Sequence, residues 1–164
     1  MVFEIPDNLH PNCGPVAWLL GTWRGNGHGD YPTIEGFEFG QELIFTHDGR
    51  PFLHYMARAW IVDEAGAKVR DGALETGFLR CLPDGQVEML LTHNTGFVEI
   101  YYGTAEGGKL EVSTDAVVRS HTAKEYVGGH RLYGNVEGDL LYAYDMAAMG
   151  ESLQPHLWAR LKRR

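Results

Sequence analysis

The sequence is poor in cysteine, in positive charge and in long apolar runs. Its 164 residues include two cysteines, Cys13 and Cys81, and they form no CxxC or zinc-type spacing. Because two cysteines cannot build a disulfide framework, we interpret both as reduced thiols of a cytoplasmic protein. No apolar run approaches the length of a membrane-spanning helix, and the start of the chain lacks the residue order of a signal peptide.

Positive charge is scarce: the chain has 14 lysines and arginines and 22 aspartates and glutamates, which gives a net charge of −8. Nucleic acids and anionic membrane surfaces bind basic patches, so the sequence predicts neither of them as a partner. The one basic cluster, residues 160–164, is interpreted as the solvated end of a strand. Motifs for nucleophilic catalysis and phosphate binding are missing too, because the chain has no GxSxG sequence and no P-loop.

The most distinctive segment that is present covers residues 21–34 and reads GTWRGNGHGDYPTI. Its alternate glycines leave one face of a strand without Cβ atoms, so another backbone or a flat ligand can approach closely. Such a strand bends sharply, as strands do where a small barrel closes. The alternative is a glycine-rich surface loop, but Trp23 and Tyr31 are large and apolar for a solvated loop.

Turn signals and alternation together predict the fold. Sequences such as Asp48-Gly49 and Asp84-Gly85 separate segments in which the side chains alternate between two faces, for example 87–93 and 140–146. Prolines near the N-terminus exclude a long helix there and leave a short helical turn. We predict an all-β protein, an antiparallel up-and-down β-barrel of about ten strands that forms one domain over residues 1–164. A barrel of that size leaves room for an internal ligand.

One long-range contact is also predicted. A Gly-x-Trp sequence on the first strand resembles the calycin signature, in which the tryptophan plugs the barrel floor beneath an arginine of the last strand. We expect Trp23 and Arg160 to form this cation–π contact.

Histidine is plentiful, but none of the eight histidines has HExxH or HxH spacing, so a dedicated zinc site is not predicted. His156 differs from the others because it follows Pro155 within the apolar last strand, residues 153–161. The proline fixes φ and thereby restricts where the imidazole points. From spacing alone, His156 is either a hydrogen-bonded strand histidine or the single axial ligand that a five-coordinate haem needs.

Several ordered motifs resemble those of one family, the nitrobindins. The run GTWRGNG at 21–27, followed by YPTI at 31–34, is similar to the family hallmark GxWxGxG and then YPT. Further matches are HDGRPFL at 47–53, ETGFLR at 75–80, AKE at 123–125 and LQPHL at 153–157. The resemblance therefore extends over nearly the whole chain.

This resemblance implies a ten-stranded antiparallel barrel similar in shape to the fatty-acid-binding proteins. It also implies haem b, one per chain, held by a proximal histidine that falls on His156, with Thr33 against the haem and Lys124 at its edge. The implied activity is binding of nitric oxide and isomerisation of peroxynitrite to nitrate on ferric haem. The implied assembly is a homodimer formed through an outer face of the barrel.

One position departs from the family pattern. Some nitrobindins carry a histidine two residues before the Glu-Thr-Gly motif, facing the distal side of the haem, where this chain has Ala73. We therefore expect a more apolar distal wall and weaker stabilisation of bound dioxygen, which leaves the resting iron ferric.

Two other functions use the same barrel. The first is a non-enzymatic carrier of a small apolar ligand such as a fatty acid, which needs no axial imidazole. Such a carrier uses an internal arginine or tyrosine to hold a carboxylate, and the candidates are Arg58, Arg119 and Arg131. The second is a nitric oxide sensor that binds the gas without turnover.

Overall fold

The computed structural model describes residues 2–164, and most of them lie in strands. A 3-10 helix, Pro11–Leu19, comes first, and a short second one is Pro83–Gly85. The strands are β1 (Gly21–Tyr31), β2 (Ile34–Thr46), β3 (Phe52–Val62), β4 (Lys68–Cys81), β5 (Gln86–His93), β6 (Phe97–Glu106), β7 (Lys109–Arg119), β8 (Tyr126–Val136), β9 (Asp139–Ala148) and β10 (Gln154–Arg163). Over residues 2–164, no helix has both the length and the apolar character needed to span a membrane.

Each strand pairs with its neighbour along the chain, and β1 also pairs antiparallel with β10, which closes the barrel. The prediction of a ten-stranded antiparallel up-and-down barrel with a short N-terminal helical turn is confirmed. Because successive strands alternate in direction, the β1–β2, β3–β4, β5–β6, β7–β8 and β9–β10 loops lie at one end of the barrel. We call this the loop end.

The glycines of β1 are places where another backbone approaches closely. A Cβ atom at Gly27 would collide with the carbonyl oxygen of Trp158 and would lie 2.6 Å from Cζ of Phe39. At Gly25 the same space is taken by the carbonyl oxygen of Arg160. The predicted close approach of another backbone is confirmed. At Gly27 the space also holds a flat group, which is the ring of Phe39 and not a ligand.

The 3-10 helix Pro11–Leu19 covers the other end of the barrel. Trp23 is fully buried, and its Nε1 donates to the carbonyl oxygen of Leu19 over 2.8 Å. The register partner of Trp23 on β10 is Arg163, whose guanidinium carbon lies 4.2 Å from the centroid of the indole ring. Arg163 also donates to the carbonyl oxygen of Trp18 over 2.7 Å and to that of Leu20. These contacts join the helix to the barrel floor.

The predicted contact between Trp23 and Arg160 is wrong. Side chains alternate along β10, so Ala159 and Leu161 are buried while Arg160 is exposed on the outer face. There its Nε donates to Oδ2 of Asp139 over 2.7 Å. The cation over the tryptophan comes instead from Arg163, because that residue shares the inward parity of Leu161.

Arg163→Met should loosen the covered end of the barrel. We expect the free energy of unfolding to fall by about 2 kcal/mol, because a hydrogen bond from a charged donor contributes roughly 1.5–3 kcal/mol. Urea denaturation followed by tryptophan fluorescence measures the change. Arg160→Met is the matched control and should leave the unfolding free energy nearly unchanged, since exposed ion pairs contribute little. Equal losses in the two variants would contradict this account.

Candidate functional site

A cavity of about 230 Å³ lies in the half of the barrel nearest the loop end. Strands β2, β3, β4, β9 and β10 contribute its walls. Most of the wall is apolar and is formed by Phe37, Phe39, Ala57, Ala59, Ile61 and Leu157. His156 lines the same cavity, so the histidine singled out from the sequence faces an apolar space inside the barrel.

A strand irregularity turns His156 inward. Pro155 pairs with Asp145 and Leu157 pairs with Tyr144, which leaves His156 without a partner of its own on β9. In a regular strand, neighbouring residues point to opposite faces, but here His156 and Leu157 both line the cavity. A bulge of this kind redirects a side chain, and a proline, which has no N–H to donate, is tolerated beside it. In the sequence, Pro155 indicated only that the direction of the imidazole is restricted.

The imidazole of His156 is held in one neutral tautomer. Its Nδ1 lies 3.0 Å from the carbonyl oxygen of Asp30 at the end of β1. Because a carbonyl only accepts, Nδ1 carries the proton and Nε2 keeps the lone pair that a metal requires. Burial lowers the pKa of His156 below the ordinary 6.5, and the hydrogen bond to Asp30 opposes this only in part. The imidazole is therefore neutral at pH 7.

Aromatic rings fix the orientation of the imidazole. The centroids of Tyr31, Phe37 and Tyr144 lie 5.4, 6.3 and 5.9 Å from that of His156, each with its plane steeply inclined. Tyr31 is itself anchored, because its hydroxyl donates to the carbonyl oxygen of Met146 over 2.9 Å. Packing and the hydrogen bond to Asp30 thus preorganise the imidazole before any ligand binds.

The wall on β4 lacks an imidazole at the position noted from the sequence. On β3, Arg58 pairs with Leu74 and Trp60 pairs with Asp71, so Gly72 and Ala73 of β4 lie opposite the single residue Ala59 and β4 has one extra residue. Ala73 lines the cavity and adds only a methyl group to its wall.

Thr33 and Lys124 both lie at the loop end. Thr33 is in the turn between β1 and β2, Lys124 is in the loop between β7 and β8, and both are exposed. The barrel thus brings them to the same end as His156, although the three residues are far apart in the chain. Their roles remain predictions.

A buried ionic network fills the barrel interior beside the cavity, and Arg131 is its cation. Arg131 is 1% exposed, and its Nη1 donates to Oε2 of Glu75 over 2.6 Å. Its Nε donates to the hydroxyl of Tyr101 over 2.9 Å. Since Glu75 lines the cavity, one charged member of the network reaches the cavity wall, where Arg131 already neutralises it.

Glu99 is the second buried carboxylate of the network. It is 2% exposed and accepts hydrogen bonds of 2.8 Å from the hydroxyls of Tyr101 and Tyr126. Its Oε1 lies 2.9 Å from Nε2 of His93. Burial raises the pKa of Glu99, but the hydrogen bond with His93 and the charge of Arg131 outweigh it, so the pKa lies below the ordinary 4.5.

The network also includes a residue, Tyr144, that packs against His156. The hydroxyl of Tyr144 donates to that of Tyr126 over 2.8 Å, and the ring of Tyr144 packs against the imidazole. A chain of hydrogen bonds therefore runs from Glu99 to a residue in contact with His156. Satisfied buried networks of this kind rigidify the groups that they contact.

Sequence reasoning missed Gln41 and Glu99, and it considered Arg131 only as a ligand-binding arginine. Each is a polar residue at an inward position of a strand whose other inward residues are apolar. Gln41, for example, stands between Phe39 and Leu43 in the alternation of β2. A polar residue at such a position was the available signal.

Glu99→Gln should destabilise the barrel because it leaves buried donors without their carboxylate. We expect a loss of about 3 kcal/mol in unfolding free energy at pH 7, as when one partner of a buried ion pair is removed. In the wild type, Glu99 contributes stability above pH 4.5, and this is lost as the pH falls through the lowered pKa of the folded state. The variant should therefore lose less stability on acidification.

Urea denaturation at a series of pH values measures both effects. Glu88→Gln, which alters a partly exposed pair with Arg80, is the control and should change neither quantity much. A parallel pH dependence in wild type and Glu99→Gln would contradict the assignment.

Comparison with known proteins agrees with this geometry. The family model described as "THAP4-like, heme-binding beta-barrel domain" matches residues 12–163. A Nocardioides protein named peroxynitrite isomerase is 77% identical, over 99% of this chain and 99% of its own length. A Cutibacterium acnes protein named ferric nitrobindin-like protein is 42% identical, over 99% of each chain.

A solved structure supports the same relationship. The crystal structure of Rv2717c from M. tuberculosis aligns with a TM-score of 0.85 and 36% identity, covering 95% of this chain and 99% of that one. The family model, the full-length relatives and the shared barrel agree with one another. The resemblance to the nitrobindins is confirmed. The chain therefore belongs to the THAP4-like, haem-binding β-barrel family.

Proposed function

We propose that this protein binds one haem b per chain through His156 and isomerises peroxynitrite to nitrate. The observation that carries the proposal is the state of His156, a neutral imidazole fixed through Nδ1 and turned into an apolar cavity by a strand bulge. A carrier of apolar molecules has no need of such a group. The relative that is 77% identical is named peroxynitrite isomerase, which supports the reaction.

The donor set fits haem. A five-coordinate haem takes one neutral imidazole from the protein and otherwise needs a dry, apolar surrounding. His156 provides the imidazole, and rings such as Phe37 together with small side chains such as Ala57 provide flat apolar walls. When bound, haem supplies the ferric iron at which peroxynitrite rearranges to nitrate.

The residues of this chain control the surroundings of that reaction. His156 would hold the haem iron through Nε2, and it is the only residue proposed as a protein ligand. The apolar walls exclude water, which keeps reactive nitrogen species together until nitrate forms. Ala73 presents a methyl group and therefore no imidazole proton to a ligand on its side of the cavity.

Thr33 and Lys124 complete the proposed haem site. Their support is their position, since both lie in loops at the end of the barrel nearest His156. When haem is bound, Thr33 would pack against it, and the ammonium group of Lys124 would make a charge-assisted contact with a carboxylate at its edge.

Nitric oxide binding belongs to the same proposal, because the open axial position of haem accepts small diatomic ligands. A sensor and an isomerase differ in turnover, so nitrate production separates them.

The alternative function, a carrier of apolar ligands, needs an internal arginine that is free to hold a carboxylate, and the three candidate arginines do not meet this need. Arg131 is inside the barrel, but Glu75 already pairs with it. Arg58 donates to Glu42 over 2.9 Å, and Arg119 is exposed at the end of β7. None of these three is both internal and unpaired.

We also propose a homodimer and a cytoplasmic location. Outer residues of β4, β6 and β7 form an exposed apolar patch in which Phe78, Val98 and Val118 are 45%, 43% and 67% exposed. Val98 and Val118 are direct register partners, so the patch is continuous across two strands. Cys13 and Cys81 are buried free thiols, which supports a reducing compartment.

Titration of the purified protein with ferric haem tests the central proposal. We expect a saturable one-to-one Soret band, and we expect His156→Ala to weaken haem binding by more than about 100-fold, since outer-shell substitutions alone cost 10–100-fold. His130→Ala is the control, because His130 lies on the outer face, paired with Glu111. Stopped-flow mixing with peroxynitrite should then yield nitrate from the haem-loaded wild type. Equal haem affinity in the wild type and His156→Ala would contradict the proposal and favour the alternative, a carrier of lipophilic ligands.

Val98→Glu should disrupt the proposed dimer, because it places a charge within the apolar patch. Size-exclusion chromatography with light scattering should show a dimeric wild type and a monomeric variant. Val127→Glu, at an exposed position of β8, is the control and should stay dimeric. A monomeric wild type would disprove the dimer without affecting the haem proposal.

A further inference from the structure

Gln41 is a buried polar side chain without a hydrogen-bond partner for its oxygen. It is 4% exposed, and among residues 2–164 its Oε1 accepts no hydrogen bond. It lines the same cavity as His156. Buried side-chain amides are nearly always bonded in folded proteins, so this exception requires an explanation.

A structural role does not explain Gln41. Its register partners are Gly25 on β1 and Ala59 on β3, and neither has a side chain that can bond to an amide. The inward residues next to it on β2, Phe39 and Leu43, are apolar as well. A leucine or methionine would fill this position without leaving a polar atom unpaired.

Two charged groups on the cavity wall, Glu75 and Arg58, are already engaged. Glu75 is paired with Arg131, and Arg58 donates to Glu42. The amide of Gln41 differs from them because it carries no charge and remains free to bond to a ligand. It can turn either its oxygen or its NH2 group toward the cavity, so it can serve a ligand that only accepts hydrogen bonds.

We propose that Gln41 positions an anion in the cavity. Its amide turns so that Nε2 takes the place of the unpaired Oε1 and donates a hydrogen bond to one oxygen of the anion. The anion's identity rests on the proposed function, in which it is peroxynitrite on entry and nitrate on release. One cation on the cavity wall, the exposed Arg70, has no carboxylate partner among residues 2–164 and favours an anion there. Because an amide has no acidic proton to lose, Gln41 holds the anion without protonating it.

Gln41 thereby supplies the polar contact that Ala73 cannot provide. An imidazole at position 73 would present a titratable proton, whereas a carboxamide presents a permanent donor at every working pH. The other polar residues of the wall are His156, Tyr142, Arg70 and the paired Arg58 and Glu75, and the remaining lining is apolar.

Fluoride binding to the ferric haem-loaded protein tests the proposal. Fluoride is a small anion that binds ferric iron and accepts hydrogen bonds, so it reports a nearby donor. We expect Gln41→Met to raise the Kd for fluoride about tenfold, the loss of one hydrogen bond to a charged group, and to shift the charge-transfer band of the complex. Gln41→Glu should weaken fluoride binding further, because its carboxylate repels the anion. Gln86→Met, at an exposed position of β5, should change nothing.

Thermal unfolding of the haem-free protein gives a second readout. Gln41→Met should raise the midpoint, because it removes a buried amide that has no partner. A glutamine with a structural role would show the opposite sign. Higher stability together with weaker fluoride binding supports the proposal.

Two results would overturn it. Unchanged fluoride affinity in Gln41→Met would show that no donor reaches the anion, whatever the stability does. Weaker fluoride binding with a lowered midpoint would indicate damaged packing. Failure of the proposed function gives a different result from failure of the Gln41 proposal. The wild type would then show no saturable Soret band on addition of haem, or His156→Ala would bind haem as well as the wild type does.

Discussion

The pairing of β1 with β10 is the constraint on which the rest of this structure depends. It closes the barrel, and it brings the end of β1 beside the start of β10, where the Asp30 carbonyl holds Nδ1 of His156. At the other end the same pairing sets Arg163 over Trp23 and joins the 3-10 helix to the barrel. Glycines on β1 permit this pairing because the carbonyl groups of β10 occupy the space of their missing Cβ atoms.

The interior of the barrel separates charge from the site of chemistry. Arg131 and the carboxylates of Glu75 and Glu99 are engaged with one another and with several tyrosines, so their charges are largely used within the network. What faces a ligand is mainly a neutral imidazole, apolar side chains and the amide of Gln41, with Arg58, Arg70 and Glu75 as the charged residues of the wall. Such a setting favours chemistry that needs one fixed axial ligand, little water and no competing acid.

Irregularities in β10 and β4, as well as the regular strand pairing, determine which side chains line the cavity. The bulge at His156 lets two neighbouring residues face the cavity, and one extra residue on β4 lies beside Ala73 in another part of its wall. A perfectly alternating barrel would place Pro155 rather than His156 inside. From the sequence, Pro155 indicated only that the direction of the imidazole is restricted, and nothing in the alternation of β4 indicated its extra residue.

Local pattern was enough to predict the strands, their turns and the closed barrel, and to single out His156 as a candidate, because period-two alternation and turn residues act over a few positions. The motifs from GTWRGNG to LQPHL were enough to indicate the family. Only the tertiary structure decided that Arg163 rather than Arg160 lies over Trp23, that Glu99 and Arg131 share one network, and that Gln41 reaches the cavity unpaired. Those outcomes depend on register and on contacts between strands distant in sequence, which no local pattern encodes.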